Sequence, residues 1–468
     1  MAETLEGREW RARLHDVTRR LDDISPSFCA AKWLQVTLHL ENGMTHSCHH
    51  PPAHKVPLEE LALHPDALHN TEHKRQRRLE MIKGIRPDEC GHCWKMEDAS
   101  QHAFSDRHIK SSDEWAVDVL EELPGIARPA PSYIEVSFGN KCQMRCMYCS
   151  PEVSSAIWDE FERHGPYPVK EAGFDLGWLT SEGRRPYAAH EHNPYVDAFW
   201  KWFPDTVAGL RVLRLTGGEP LLQESTWDLL HRLRTLGHDQ LEIDVNSNFM
   251  VAGILLDRLA DTLVAIKREG RIKRARLYTS VDTAGAGAEY VRHGMNYQKL
   301  IANCDRVLQR QPEIAVTIIC THNVLSFPGF ADFLKDLLEL KRRHIGWLEP
   351  VPRVMLDLTY LRSPSFLSSR LAPLEIRREM RSALSWMEGH RESVAAPWGF
   401  NAYEMNKMRR MCDWLEQPSS DEEEAAAFER GQDLARFIGE YDRRKQRDFN
   451  ATFPTLIGFM DGLRATLP

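Results

Sequence analysis

"SYIEVSFGNKCQMRCMYCS", residues 132–150, joins a short apolar, β-branched run to a loop that packs three cysteines into eight positions. The run reads as a buried strand, and the Gly139-Asn140 pair ends it. Five further runs of the same texture follow: RVLRLTGG (211–218), LEIDVNSN (241–248), ARLYTSVD (275–282), IAVTIICTHN (314–323) and GWLEPVP (346–352). Amphipathic stretches such as STWDLLHRLRTLG (225–237) and FADFLKDLLELKRR (330–343) lie between them. Strands alternating with helices predict six βα units around a parallel sheet, an α/β fold.

The polar clusters fall at the carboxyl ends of these strands. The cysteines follow the first, TGGEP (216–220) ends the second, NSN (246–248) the third, SVD (280–282) the fourth and THN (321–323) the fifth. In parallel βα architectures that edge binds ligands, because the βα loops converge there. One site is thus expected from five consecutive loops.

A chain of 468 residues has room for two or three domains. Its hydrophobic content of 42% and charged content of 27% are ordinary for a globular protein. No apolar run is long enough for a membrane span, and the charged start MAETLEGREWRARLHD does not resemble a signal peptide. The expected location is cytoplasmic, where clustered cysteines bind metal more often than they form disulfides. A net charge of −8 argues against broad nucleic-acid binding. The local basic stretch HKRQRRLEMIKGIR (73–86) reads as a solvated helix face with Leu79 and Ile82 turned inward.

Three thiolates are one short of the four that close a typical cysteine metal site. Three irons of a [4Fe-4S] cube could take them, leaving the fourth iron free for a small molecule with its own donors. A partial zinc site would need one more ligand, and none occurs in the loop. The pattern Cys142-x3-Cys146-x2-Cys149, with Tyr148 before the last cysteine, resembles the signature of radical S-adenosylmethionine (SAM) enzymes. The later motifs match that family in order and spacing. The resemblance implies a partial (β/α)6 TIM-like barrel over residues 126–360 and reductive cleavage of SAM to a 5′-deoxyadenosyl radical that abstracts hydrogen from a substrate. It also implies a [4Fe-4S] cluster on Cys142, Cys146 and Cys149, and an electron donor of the reduced flavodoxin or ferredoxin type. Gly217, Gly218, Glu219 and Pro220 match the segment that receives the methionyl ammonium. Ser280 and Asp282 match polar positions near the ribose, Asn248 a position facing the cofactor, and Arg292 an arginine that pairs with the SAM carboxylate.

Upstream, Cys29 and Cys48 join the pair Cys90 and Cys93 of RPDECGHCWK to make four thiolates, enough to close a metal site completely. Iron–sulfur and zinc share that ligand set. Cys29-x3-Trp33, a turn at Asn42-Gly43, Cys48, LHNT (68–71) and GIRPDECGHC (84–93) resemble the auxiliary-cluster half of SPASM/twitch radical SAM enzymes, a module that usually follows the barrel. Here residues 1–125 would carry it, ahead of the Pro-punctuated linker LPGIARPAP (123–131). A second, auxiliary [4Fe-4S] cluster with all four thiolates suits electron relay, and tilts the expected chemistry toward oxidation. His46, His49, His50 and His54 read as exposed loop residues.

The resemblance leaves the substrate open between a peptide and a small molecule, with a nucleoside or RNA as an alternative. SAM binding without turnover, in a redox or regulatory protein, is the competing class. The aromatic insertion 165–204 could form a lid or a locally packed excursion. Residues 361–468 read as helical, with SSDEEEAAAFER (419–430) as an exposed helix start. Cys412 is a candidate catalytic thiol or a buried structural cysteine, whereas Cys304 and Cys320 read as core.

Overall fold

A computed structural model describes residues 5–99, 104–188, 190–348 and 350–467. Its strands, in chain order, are β1 (Gln35–His39), β2 (Met44–His46), β3 (His54–Lys55), β4 (Tyr133–Ser137), β5 (Arg145–Cys146), β6 (Val212–Thr216), β7 (Glu242–Asn246), β8 (Arg274–Ser280), β9 (Arg292–His293), β10 (Ile314–His322), β11 (Trp347–Leu348), β12 (Val351–Pro352) and β13 (Val354–Tyr360). The main sheet runs β13-β10-β8-β7-β6-β4-β1-β2-β3, parallel from β13 to β1, with β2 and β3 added antiparallel. The fold is α/β. From β4 to β13 each strand lies beside the one before it in the chain, so every crossover steps the same way and the helices gather on one face, the winding of a partial barrel.

The register explains the texture of these strands. Ile134, Val136, Leu213, Leu215, Ile243, Val245 and Leu277 face the helices and are essentially inaccessible. The opposite face carries a row across the sheet, Thr37, Glu135, Arg214, Asp244 and Arg276, each opposite the next. Arg276 donates two hydrogen bonds to Asp244, at 2.7 and 2.8 Å, and the Arg214 guanidinium lies 4.3 Å from the Tyr278 ring centroid.

Two expectations change, and one left open is decided. GWLEPVP supplies only the hairpin pair β11 and β12, and its Glu349 lies outside the described residues. The sixth barrel strand is β13, immediately after it, because Trp347–Leu348 folds back to pair with Val351–Pro352 and the chain reaches β10 only from Val354. The basic stretch is also turned round. Helix Glu72–Ile82 buries Lys74, Arg78 and Met81, which share one face, while Leu79 is 47% exposed. Finally, the insertion is packed. Its helix Pro194–Thr206 buries Tyr195, Phe199 and Phe203, the Tyr195 hydroxyl donates to the Val56 carbonyl at 3.1 Å, and Asn193 donates to the Leu40 carbonyl at 2.8 Å. It fastens the β1–β3 hairpin to the barrel.

Two cores result. The larger lies between sheet and helices, and the smaller gathers Val17, Leu21, Phe28, Trp33 and Met81 around Cys90, Cys93 and Trp94. At the carboxyl end, helix Ala402–Glu416 packs on β13, and Glu404 accepts from both Lys341 and the Leu356 N–H. Helix Asp421–Lys445 opens with a Ser420–Glu423 capping box, as its acidic start predicts. No helix among the described residues is long and apolar enough to cross a membrane.

Candidate functional site

β4 delivers the chain to the cysteine loop at the carboxyl edge of the sheet. The loop is held at both ends. Cys142 N–H donates to Ser155 Oγ at 3.2 Å, and Arg145–Cys146 pairs antiparallel with Arg292–His293 as β5 against β9. Met147 N–H donates to the Val291 carbonyl at 2.9 Å. Cys142, Cys146 and Cys149 are each half-buried. Burial pushes the Cys142 thiol up to about 11, and burial together with the neighbouring thiols carries Cys149 well above its ordinary value.

The β6 loop lies against this one. Gly217 has φ +115°, and a side chain there would meet Ser137 Oγ at 2.3 Å. A Cβ on Gly218 would sit 2.6 Å from the Lys141 carbonyl oxygen and 2.7 Å from that of Asn140. Only glycine allows this approach. Glu219 N–H then donates to the Lys141 carbonyl at 2.8 Å, and Pro220, buried, starts a short 3-10 turn. The Glu219 carboxylate is fully buried and accepts the Leu221 N–H at 3.1 Å and the Asn248 N–H at 2.7 Å. Burial pushes it up to about 7, against the pull of those N–H groups. Asn248, beyond β7, points its amide at Cys142 Sγ, 3.9 Å away, and accepts from Gln143 at 3.0 Å. Three of the five loops are thereby tied together.

The fourth and fifth join beneath them. Asp282, fully buried past β8, accepts the Tyr148 hydroxyl at 2.9 Å, Arg292 Nε at 2.8 Å and the Thr321 N–H at 3.1 Å. Arg292 also donates to the Tyr148 hydroxyl. Ser280 ends β8 opposite Ile319 and is partly exposed. Asp282 and Arg292 thus meet as a buried ion pair that clamps the tyrosine between the second and third cysteines.

Tested against a cluster held by three thiolates, the site fits in its donors. It offers three cysteines on one loop, a buried carboxylate beside them, and Ser137 Oγ buried with no hydrogen-bond partner against Gly217.

Cys29, Cys48, Cys90 and Cys93 line one small cavity with Lys32, Trp94 and Arg107. Burial first, and then the other three thiols, drives Cys29 upward, while Cys93 is pushed up to about 12. A bound metal would reverse that situation, because metal binding displaces thiol protons. Among the described residues no three His, Cys, Asp or Glu side chains converge on a single ion. The neighbouring histidines are engaged: His50 bonds Asp106 at 2.6 Å, His54 bonds Thr71 at 2.9 Å and His46 faces His39 at 3.3 Å. Cys412 is buried, its thiol 3.4 Å from the Met380 carbonyl between two helices, and Cys304 and Cys320 are wholly buried.

The sequence reading missed Ser137 and the Asn140 and Lys141 carbonyls that receive the glycines. It also missed the charged inner face, whose signal was the alternation of charge in LEIDVN and ARLY, unlike the continuous apolar run of a strand buried on both sides.

The fold and site define a parallel α/β protein whose loops bring three thiols and the buried carboxylates of Glu219 and Asp282 to one sheet edge. No protein-family model matches the chain, and no curated protein matches it. Among solved structures it is similar to Streptococcus suis SuiB bound to S-adenosylmethionine, at 11% identity and a TM-score of 0.36 over 76% of this chain and 69% of that one. A second crystal structure of Streptococcus suis SuiB gives 10% identity and a TM-score of 0.33 over 76% and 68%. The chemistry of the site rests on its own side chains.

Proposed function

We propose that this chain is a radical SAM enzyme that abstracts a hydrogen atom from a peptide or small molecule and modifies it oxidatively. The observation that carries the reading is the contact between the loop of Cys142, Cys146 and Cys149 and the Gly217-Gly218-Glu219 segment, with backbone against backbone and a buried carboxylate beside the thiols. Cys142, Cys146 and Cys149 would hold a [4Fe-4S] cluster, which would supply the electron for reductive cleavage of SAM to a 5′-deoxyadenosyl radical.

The protein's part is binding and orientation. Gly217 and Gly218 let the backbone approach the amino-acid end of SAM, and Glu219 receives its ammonium. Ser280 and Asn248 line the cofactor's other side. Asp282 and Tyr148 hold the loop rigid, and Arg292, with five N–H donors, has donors left for the SAM carboxylate after pairing with Asp282. Residues 126–360 form the catalytic unit in this reading. Residues 1–125 hold a second [4Fe-4S] cluster on Cys29, Cys48, Cys90 and Cys93, and residues 361–468 form a helical cover. The electron comes from a reduced flavodoxin- or ferredoxin-type protein.

Anaerobic reconstitution followed by reduction with dithionite in the presence of SAM tests the activity. Release of 5′-deoxyadenosine, lost in the Cys142→Ala variant, is the expected result. A fully loaded protein that binds SAM and releases none is a SAM-binding iron–sulfur protein without turnover.

A further inference from the structure

The face of the sheet turned away from the helices, the lumen of the partial barrel, is charged. Inward positions of a closed barrel carry branched apolar side chains that fill it, whereas here they carry Glu135, Arg214, Asp244 and Arg276. Part of that face is satisfied internally. Arg276 occupies both Asp244 oxygens, and Arg274 pairs with Glu242 at 2.7 Å. Glu135 and Arg214 differ. They stand opposite each other on β4 and β6, yet among the described residues neither an ion pair nor a hydrogen bond joins them. Arg214 leans toward the carboxyl edge, where its Nε donates to Asn246 Oδ1 at 3.1 Å, and its other neighbours are the Tyr278 ring and the Tyr133 hydroxyl. All three partners are neutral. Glu135 accepts no hydrogen bond among the described residues, and the Thr37 hydroxyl opposite it on β1 is buried with no partner. Glu135 and Arg214 are both partly exposed. Ser137, two residues further along β4 on the same face, already lies against Gly217, so the pair sits one layer beneath the cofactor edge.

A charge in a low-dielectric wall is costly unless it is paired or hydrogen-bonded. Opposite charges that face one space without closing on each other keep their bonding capacity for a ligand. A guanidinium fork matches a carboxylate through parallel N–H bonds, and a free carboxylate takes an ammonium. Neighbouring strands lie about 4.8 Å apart, a spacing that suits a small molecule bearing both charges on one carbon.

We propose that Glu135 and Arg214 anchor a zwitterionic substrate, a free α-amino acid whose carboxylate is held by Arg214 and whose ammonium is held by Glu135. The inference rests on the radical SAM reading above and narrows its substrate from a peptide or small molecule to the small molecule. Both residues grip the headgroup and leave the rest of the substrate to face the edge where the radical forms.

The test is calorimetric titration of the full-length, anaerobically reconstituted protein with the twenty standard L-amino acids, one at a time, SAM being present at saturation so that the cofactor site is filled. At least one amino acid is expected to bind. Its N-acetyl derivative and its carboxamide, each lacking one charge, are expected to bind at least about tenfold more weakly. Glu135→Gln should lose the discrimination against the N-acetyl form alone, and Arg214→Gln the discrimination against the carboxamide alone. A loosened fold would weaken all three ligands together, so the crossed pattern separates charge recognition from packing. If Arg214→Gln fails to retain iron, the Glu135→Gln arm decides. A wild-type protein that binds SAM but none of the twenty, or that binds the neutral derivatives as tightly as the parent, overturns the anchor and leaves the radical SAM reading standing. So do variants that keep both discriminations. A reconstituted protein that gives no binding signal with SAM itself overturns the radical SAM reading, whatever the amino acids do.

Discussion

Gly218 has no room for a methyl group. Its neighbours are backbone carbonyls of the cysteine loop, which cannot swing aside as a side-chain tip can. Gly218→Ala should cost about 1–3 kcal/mol of stability. It should also weaken SAM binding at least about tenfold, the equivalent of about 1.4 kcal/mol; calorimetry with cluster-loaded protein checks both, and unchanged affinity would remove the segment from the cofactor site. Glu219 gives a pH signature. Its buried carboxyl is pushed up to about 7 in the free protein, and an incoming ammonium needs it charged. Below that value a proton must leave before the ligand binds, so affinity falls by about tenfold between roughly pH 8 and pH 6. Glu219→Gln should bind weakly and without that slope. At this scale the residues that gather at the sheet edge were legible, because cysteine spacing and a glycine pair are local patterns. Ser137 and the buried Lys74 and Arg78 were not, since hydropathy alone assigns a polar or charged residue to solvent, whereas Lys74 finds Thr45 and Arg78 finds Asn70 inside.

At the scale of the element, the cysteine loop owes its shape to what lies beneath it. Asp282 and Arg292 are buried together, at 0% and 8% side-chain exposure, and the aspartate also takes Tyr148 and the Thr321 N–H. Asp282→Asn leaves an uncompensated guanidinium and should cost about 3–5 kcal/mol, whereas Tyr148→Phe, which removes one hydroxyl, should cost about 1 kcal/mol. Urea denaturation distinguishes the two, and equal costs would mean that the ion pair does not organise the loop. Strand positions were readable from short β-branched runs ending in polar clusters. GWLEPVP misled because its apolar residues suggested a barrel strand, whereas Trp347–Leu348 folds back to pair with Val351–Pro352 and the chain reaches β10 only from Val354. The basic helix misled for a related reason. Amphipathic logic places Leu79 inside, but the face that contains Met81 also contains Lys74 and Arg78.

At the scale of the whole molecule, the amino-terminal residues do not stand apart from the barrel. β1 extends the parallel sheet beside β4 in register from Gln35↔Tyr133 to His39↔Ser137, and the insertion helix fastens its hairpin. The four-cysteine cavity and the cysteine loop therefore belong to elements that share one sheet. Loss of metal from the four-cysteine cavity should loosen the small core that packs around Cys90, Cys93 and Trp94. A protein stripped of iron is expected to melt at a lower temperature than the loaded form, by about 4 °C or more, and differential scanning fluorimetry before and after chelation checks this. The union of the amino-terminal residues with the barrel was not legible, because the sheet pairing that joins them depends on contacts about a hundred residues apart, which local periodicity does not encode. The central claim is an iron–sulfur cube open at one iron on Cys142, Cys146 and Cys149. EPR of the anaerobically reduced protein, with and without SAM, addresses it most directly. A [4Fe-4S]⁺ signal that changes on adding SAM, and disappears in the Cys142→Ala/Cys146→Ala/Cys149→Ala variant, is the predicted result; a signal indifferent to SAM, or none from the barrel site of a fully reconstituted protein, would contradict the account.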